Sequence, residues 1–266
     1  MAVTICSGVH PAGWEKYGRR FAETFARHVP SSIGLRFYSE EPVDLPHGEC
    51  RPLWSIEGAS EFQERHQGNL EHTGLRPTRH WRPKDLRVLA NSGEAAWRWD
   101  ALRFYKQCII PEHASRDLPD EDMLVWFDAD IVFFRDMPVD FVPKLLGGMD
   151  LCYLGRNKGA EIGFWAILLN PRTRAFLKDL SDMYLQDRIF GLDQFHSAYA
   201  FDHVKEAHLK KRMSERDLTP NGRDHVWMQL EPLYRWSDHL KGPRRKNLGY
   251  SPEHPLRWWE RNAKLV

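Results

Sequence analysis

Two aspartates, Asp128 and Asp130, stand one residue apart directly after the apolar run Met123-Leu124-Val125-Trp126-Phe127, and a second apolar run, Ile131-Val132-Phe133-Phe134, follows them. A continuous apolar stretch of this length predicts a strand buried on both faces. Carboxylates at the carboxyl end of such a strand stand where open α/β sheets bind their ligands. Mg²⁺ and Mn²⁺ take carboxylate oxygens and share their remaining positions with water and phosphate oxygens, so the pair suits a metal-diphosphate site. The plainer reading gives one Asp to the next turn and the other to solvent. A D-x-D phosphatase is a further alternative, but it wants a Thr shortly after the second Asp, where this chain has Ile131-Val132.

A second group lies near the carboxyl end, in Ser237-Asp238-His239-Leu240-Lys241-Gly242-Pro243-Arg244-Arg245-Lys246. A neutral imidazole beside two carboxylates leaves a divalent ion near zero net charge, and adjacent cations then offset a diphosphate leaving group as its charge grows. A surface or capping His is the alternative for His239, one of thirteen in the chain.

Together these residues carry a resemblance. Val125 to Val132 resembles the metal-binding D-x-D strand of nucleotide-sugar glycosyltransferases with the A-type fold, especially the retaining, glycogenin-like family, and His239 to Lys246 is similar to that family's late His-x-x-Gly-x-x-Lys motif. The resemblance implies a mixed, mostly parallel α/β sheet flanked by helices. It implies Mn²⁺ or Mg²⁺ on Asp128, Asp130 and His239, with Lys241, Gly242 and Lys246 around the diphosphate. Lys246 falls four residues after Gly242 instead of three, and Arg245 takes the motif's place. The implied donor is a nucleotide sugar, foremost a UDP-sugar, and the implied reaction is transfer to a hydroxyl acceptor with retention. The acceptor stays open among a saccharide, a lipid-linked glycan, a protein and a modified DNA base.

Weaker matches extend the candidate site. Leu192-Asp193-Gln194-Phe195 is similar to the family's Asp-Gln-Asp segment, whose acids lie near the anomeric carbon, but Phe195 replaces the second acid. Asp193 and Gln194 are therefore catalytic candidates, with Asp193 as a helix N-cap the competing reading. Glu161, in Glu161-Ile162-Gly163-Phe164-Trp165, is a candidate polar contact on the acceptor side. Arg103 and Lys106 are donor-side candidates from the segment before the D-x-D strand, spaced i, i+3 on one predicted helix face; a solvated face competes. Ser7 and Gly8, at the predicted end of the first strand, would sit over the nucleotide base, a glycine there permitting close backbone approach.

The elements that must position these residues follow from periodicity. Val3 to Cys6 predicts a strand, Trp14 to His28 a helix carrying Phe21 and Phe25, and Leu35 to Tyr38 a second strand, the β-α-β opening of an α/β sheet. Residues 40–93 are rich in Pro, Gly, His and charge and read as irregular, with a short helix near Ser60 to His66. Glu94 to Ile110 predicts a helix ended by Pro111. Strands are expected at Leu151 to Leu154, Gly163 to Leu169 and Val226 to Leu230, and helices at Arg172 to Leu185 and Asp193 to His208. His196 and His203, seven apart, have no partner to complete a zinc set and read as structural.

Composition bounds the function classes. The chain has 266 residues with 38 Lys+Arg against 37 Asp+Glu, a balance that argues against wrapping nucleic acid. No internal boundary is visible, so a single domain over residues 1–266 is expected, with 235–266 a basic-aromatic segment folding over the metal. That tail holds eight Lys/Arg against three acids. Its Trp258-Trp259 pair keeps open a non-catalytic glycan or nucleic-acid binding module. A nucleotidyltransferase would use the same metal but wants a Gly-rich, basic loop after the first strand, where Cys6-Ser7-Gly8-Val9-His10-Pro11 has one Gly and no cation. Cys6, Cys50, Cys108 and Cys152 form no CxxC pair and read as thiols of a reducing, cytoplasmic compartment. No run approaches the roughly 18 apolar residues of a membrane span.

Overall fold

The computed structural model describes residues 1–76, 96–157, 159–223 and 225–256. Strand β1 (Val3–Val9) lies between β2 (Ile33–Ser39) and β4 (Met123–Phe127), parallel to both. β3 (Glu49–Pro52) adds to β2 in parallel. On the other side β4 pairs antiparallel with β7 (Glu161–Leu168), which pairs antiparallel with β6 (Leu151–Leu154), and β6 pairs in parallel with β8 (Glu215–Asp217). The seven-stranded order is β3-β2-β1-β4-β7-β6-β8, mixed and mostly parallel, with β7 reversed.

Alternation along the central strands builds a core on each face. Val125, Phe127, Ile5 and Phe164 pack on one face with Phe21 and Phe25 of the helix Arg19–His28. Leu124, Trp126, Cys6 and Trp165 pack on the other with the helices Lys106–Ser115, Pro171–Leu185 and Ser197–Leu209. Because β4 is apolar on both sides, all five of its residues are buried and the chain can emerge only at Asp128. The reversal of β7 brings its start, Glu161 to Gly163, to that same edge, where Asp128 N–H donates to Gly163 O at 2.9 Å.

A second, two-stranded sheet pairs β5 (Ile131–Phe133) antiparallel with β9 (Ser237–His239), setting Ile131 opposite His239. β9 replaces the strand expected at Val226 to Leu230, where the chain instead makes a 3₁₀ turn, Val226–Gln229, that buries Val226 and Trp227. The sequence Ser-Asp-His has no apolar signal, and it is buried by its pairing with β5 together with Trp227, Gly163 and Ser251. β3 and β8 lay hidden for a related reason, since polar edge strands lack periodic burial.

Three further boundaries differ from expectation. β1 does not turn at Ser7-Gly8 but pairs with β2 as far as Val9. The expected helix before Pro111 begins outside the described residues at Glu94 and is broken by the Asp100 cap into Ala101–Phe104 and Lys106–Ser115. Pro111 sits buried inside the second piece instead of ending it, and forfeits one helical hydrogen bond there. Among the described residues no helix is long and apolar enough to cross a membrane. The Trp258-Trp259 pair lies outside the described residues. All four thiols are free, with Cys50 alone less than fully buried.

The helix Ser197–Leu209 starts four residues later than expected, capped by His196 and not by Asp193. Its Nδ1 accepts from Tyr199 N–H at 3.3 Å, so the proton sits on Nε2, 3.0 Å from Gln194 Oε1. Burial, then the charges of Arg98, Arg156 and Lys241, push this imidazole down from 6.5 to about 4. A folded pKa below the unfolded one gives stability that is whole above pH 6.5 and is lost as pH falls toward 4, by up to about 3 kcal/mol. His196→Asn keeps a cap acceptor that does not titrate. Urea unfolding at pH 7.5 and pH 5 is expected to show a smaller loss for the variant than for the wild type; equal losses would contradict the assignment.

Candidate metal centre

Asp128, Asp130 and His239 converge at the carboxyl edge of β4, each offering one ligand atom, all within 4.8 Å of one another. Two come from the turn between β4 and β5, and the third arrives on β9. Backbone bonds fix that arrival: Leu240 N–H donates to Asp130 O at 2.9 Å and Phe134 N–H to Trp236 O at 3.0 Å. Asp238, fully buried, accepts from Ser251 N–H and Oγ, both at 2.7 Å, and so pins the chain beyond β9 back onto it.

Each carboxylate is oriented. Asp128 Oδ1 accepts from Gln107 Nε2 at 2.8 Å and Trp126 Nε1 at 2.9 Å, and the Ser197 hydroxyl donates to Gln107 Oε1 in turn. These bonds leave Asp128 Oδ2 facing His239 Nε2 at 3.7 Å. Asp130 Oδ2 is held by Lys246 Nζ at 2.9 Å. Asp130 Oδ1 is buried and accepts no hydrogen bond, with His239 Nε2 at 3.1 Å. A buried carboxylate oxygen met by an imidazole without hydrogen-bond geometry keeps part of its desolvation cost, which a cation would offset. Two hard oxygen donors and one imidazole nitrogen fit Mn²⁺ or Mg²⁺ in chemistry as well as in place.

Electrostatics follow from this packing. Burial, then the Asp130 charge, pushes the Asp128 carboxyl up to about 6. Burial works on Asp130 in the same sense, but His239 and Lys246 outweigh it and hold that carboxyl well below the usual range. His239 is raised: burial opposes its charge, and Asp130, Glu161 and Asp128 together prevail. Tyr17, beneath Lys246, is pushed up to about 12 by burial and then by the two aspartates.

The remaining candidates separate. Glu161 is buried beside the cluster and ion-paired with Lys241 and, at 3.2 Å, with Arg156. Burial would raise its carboxyl, but Lys241, His239 and Arg156 hold it below the ordinary value, as an anion. Gly242 opens the helix Pro243–Leu248 that carries Lys246. Arg245, at the motif's spacing, turns away to Glu253 and His225. Lys106 pairs with Glu40. Arg103 lies exposed with its guanidinium 5.4 Å from the centre of the Phe104 ring, on a separate helix from Lys106, so the shared face is broken at Tyr105. Ser7 is fully buried and donates to Phe127 O at 2.7 Å, away from any opening. Gly8 lies inside β1, where a Cβ would meet Ile110 Cδ1 at 2.5 Å; helix packing, not a turn, requires it. Asp193 is exposed in the loop before the Ser197–Leu209 helix, its carbonyl accepting from Trp99 Nε1 at 3.0 Å, and Gln194 meets His196.

Sequence reasoning passed over Gln107, Trp126, Tyr17 and Gly163. Only Gly163 carried a signal, as a glycine within an apolar strand, which marks close approach of another group. A Cβ there would lie 2.6 Å from His239 Cε1 and 3.3 Å from Asp128 Oδ2.

No protein-family model and no curated protein matches the chain. Among solved structures it is similar to a glycosyltransferase involved in glycosylation of the major capsid of PBCV-1, at 12% identity and TM-score 0.46, over 93% of this chain and 99% of that one. It is also similar to mouse xyloside xylosyltransferase 1 in its apo form, at 10% identity and TM-score 0.43, over 82% and 85% of the two chains. The apo-form glycosyltransferase GlyE of Streptococcus pneumoniae TIGR4 matches at 13% identity and TM-score 0.35; this chain covers 45% of it and 82% of itself is covered. At these identities and TM-scores the likenesses say nothing of what this chain does.

Gly163→Ala is expected to lower stability by about 1–3 kcal/mol, because His239 and Asp128 must both shift. Gly191→Ala, where a Cβ meets nothing within 4 Å, is the matched control and should change stability by under about 0.5 kcal/mol. Denaturant unfolding of both variants measures this, and equal effects would mean the cluster does not depend on the missing methyl.

Proposed function

We propose that this chain is a metal-dependent glycosyltransferase, moving a sugar from a nucleoside diphosphate donor to a hydroxyl acceptor. The observation that carries the reading is the Asp128–Asp130–His239 cluster at the carboxyl edge of the sheet, with Asp130 and His239 buried, Asp128 half-buried and the Lys246 ammonium on Asp130. The mixed, mostly parallel sheet, the D-x-D strand and the late His-Leu-Lys-Gly segment agree with the A-type resemblance. In this reading the chain acts as one domain, with residues 240–251 lying over the metal.

In this reading Asp128, Asp130 and His239 hold Mn²⁺ or Mg²⁺. When bound, such an ion supplies Lewis-acid stabilisation of the leaving diphosphate. The chain's own residues do the rest. Gln107 and Trp126 fix Asp128 so that its free oxygen faces the ion. Lys246 and Lys241 add positive charge where the diphosphate's negative charge grows, in a partly buried setting where it counts for more than in water. Glu161, kept ionised by Lys241 and Arg156, is the carboxylate next to the cluster and takes the acceptor side. Retention, and roles for Asp193 and Gln194 at the anomeric carbon, come from the resemblance alone. A place for Ser7 and Gly8 near the base likewise comes from the resemblance alone.

A nucleotidyltransferase fits less well. His10 follows β1 directly and caps the next helical turn, leaving no glycine-rich basic loop for a triphosphate.

Thermal unfolding with UDP, GDP and their sugar conjugates, with and without Mn²⁺, tests the proposal. One nucleotide is expected to stabilise the wild type in a metal-dependent way, by mass action on the folded state. Asp130→Asn should abolish that shift. Nucleotides that leave the wild type unmoved with metal present would remove the reading's main support.

A further inference from the structure

Residues 240–251 form a strap fastened at both ends. Leu240 N–H is bonded to Asp130 O, and Ser251 is bonded to the buried Asp238. Between these anchors lies the helix Pro243–Leu248, which has no buried residue and is bounded by Gly242 at φ 87° and Gly249 at φ 80°. A left-handed glycine at each end lets a short helix change its angle to the chain at little steric cost. Its inward contact with the cluster is Lys246. The side chain is 22% exposed, and Nζ lies 2.9 Å from Asp130 Oδ2 and 4.1 Å from the centre of the Tyr17 ring. Tyr17 stands in a single π-helical turn, Trp14–Gly18, and Gly13 makes room for it, since a Cβ there would meet the Tyr17 hydroxyl at 2.6 Å. The ammonium therefore has a built seat, with a carboxylate ahead of it and an aromatic face below.

Asp130 thus presents one oxygen without a hydrogen bond to His239 and Asp128, and the other to a lysine. A divalent cation on the first oxygen would bring two positive charges to one carboxylate across a few ångströms of partly buried protein, where repulsion is weakly screened. We propose that Lys246 is an internal counter-ion that competes with the divalent cation for Asp130, so that metal alone binds against the strap, whereas a diphosphate offers the ammonium a second anion and binds cooperatively with the metal. The inference rests on the metal-centre reading above and adds to it the order in which the ligands favour one another. Coupling of this kind is reciprocal and commonly amounts to about 5- to 150-fold.

Titration of the protein with Mn²⁺ alone, following free Mn²⁺ by its electron paramagnetic resonance signal, tests the competition. Lys246→Met keeps an unbranched side chain of similar length and removes the charge, and with it the ammonium's contact with the Tyr17 ring; it is expected to bind Mn²⁺ about tenfold more tightly than the wild type. Lys246→Arg keeps the charge and should stay near the wild type. Thermal unfolding supplies the second readout. Mn²⁺ and UDP together should stabilise the wild type by more than the sum of their separate effects, and this excess should shrink in Lys246→Met. Equal or weaker Mn²⁺ binding by Lys246→Met, or an excess unchanged by it, overturns the competition while leaving the metal centre standing. Failure of the wild type and Lys246→Met alike to bind Mn²⁺, or binding undiminished in Asp130→Asn, overturns the metal centre itself.

Discussion

Two carboxylates that the fold withdraws from water within 4.8 Å of a shared imidazole set the terms for everything around them. Like charges so placed repel, and burial deprives them of the screening that would make the pair cheap. The protein answers unevenly. Asp130 receives His239 and Lys246 and stays ionised, while on Asp128 burial and the Asp130 charge outweigh the Trp126 donor and push the carboxyl toward protonation. An ion of charge two placed among them would relieve both at once.

That demand accounts for features that otherwise look unrelated. β7 runs against its neighbours and so delivers Glu161 and Gly163 to the edge where β4 ends. β9 is three polar residues long, yet it is buried, because it must carry His239 alongside Ile131. The chain beyond it is brought back by Asp238 and Ser251, closing a loop whose one short helix carries Lys246 over Tyr17. The bonds that hold β9 in place are also the bonds that hold His239 beside the two aspartates.

The environment also sorts cations that the sequence presents as equivalents. Arg245 and Lys246 are neighbours, but one helical step of 100° separates their directions, and Arg245 reaches Glu253 while Lys246 reaches Asp130. Lys106 and Arg103 lose their common face because the Asp100 cap starts a new helix that yields to another at Tyr105. Lys106 then neutralises Glu40 at the end of β2 instead of lying with the cluster.

The central strand, its termination at Asp128, the α/β class and the types of residue able to hold a metal are legible in the amino-acid order alone. Those features are local: an apolar run buries itself, and the first charged residue after it must surface. Helical stripes such as Phe21 and Phe25 were legible for the same reason. Only the tertiary structure decided that His239 meets Asp130, since strand pairing joins segments more than a hundred residues apart and Ser-Asp-His has no periodicity of its own. It likewise decided that Gly8 serves packing and Gly163 serves the site, because both look alike in sequence and differ in what a Cβ would strike. Gln107 and Trp126 gained their importance in the same way, by lying where one oxygen of Asp128 needed a donor.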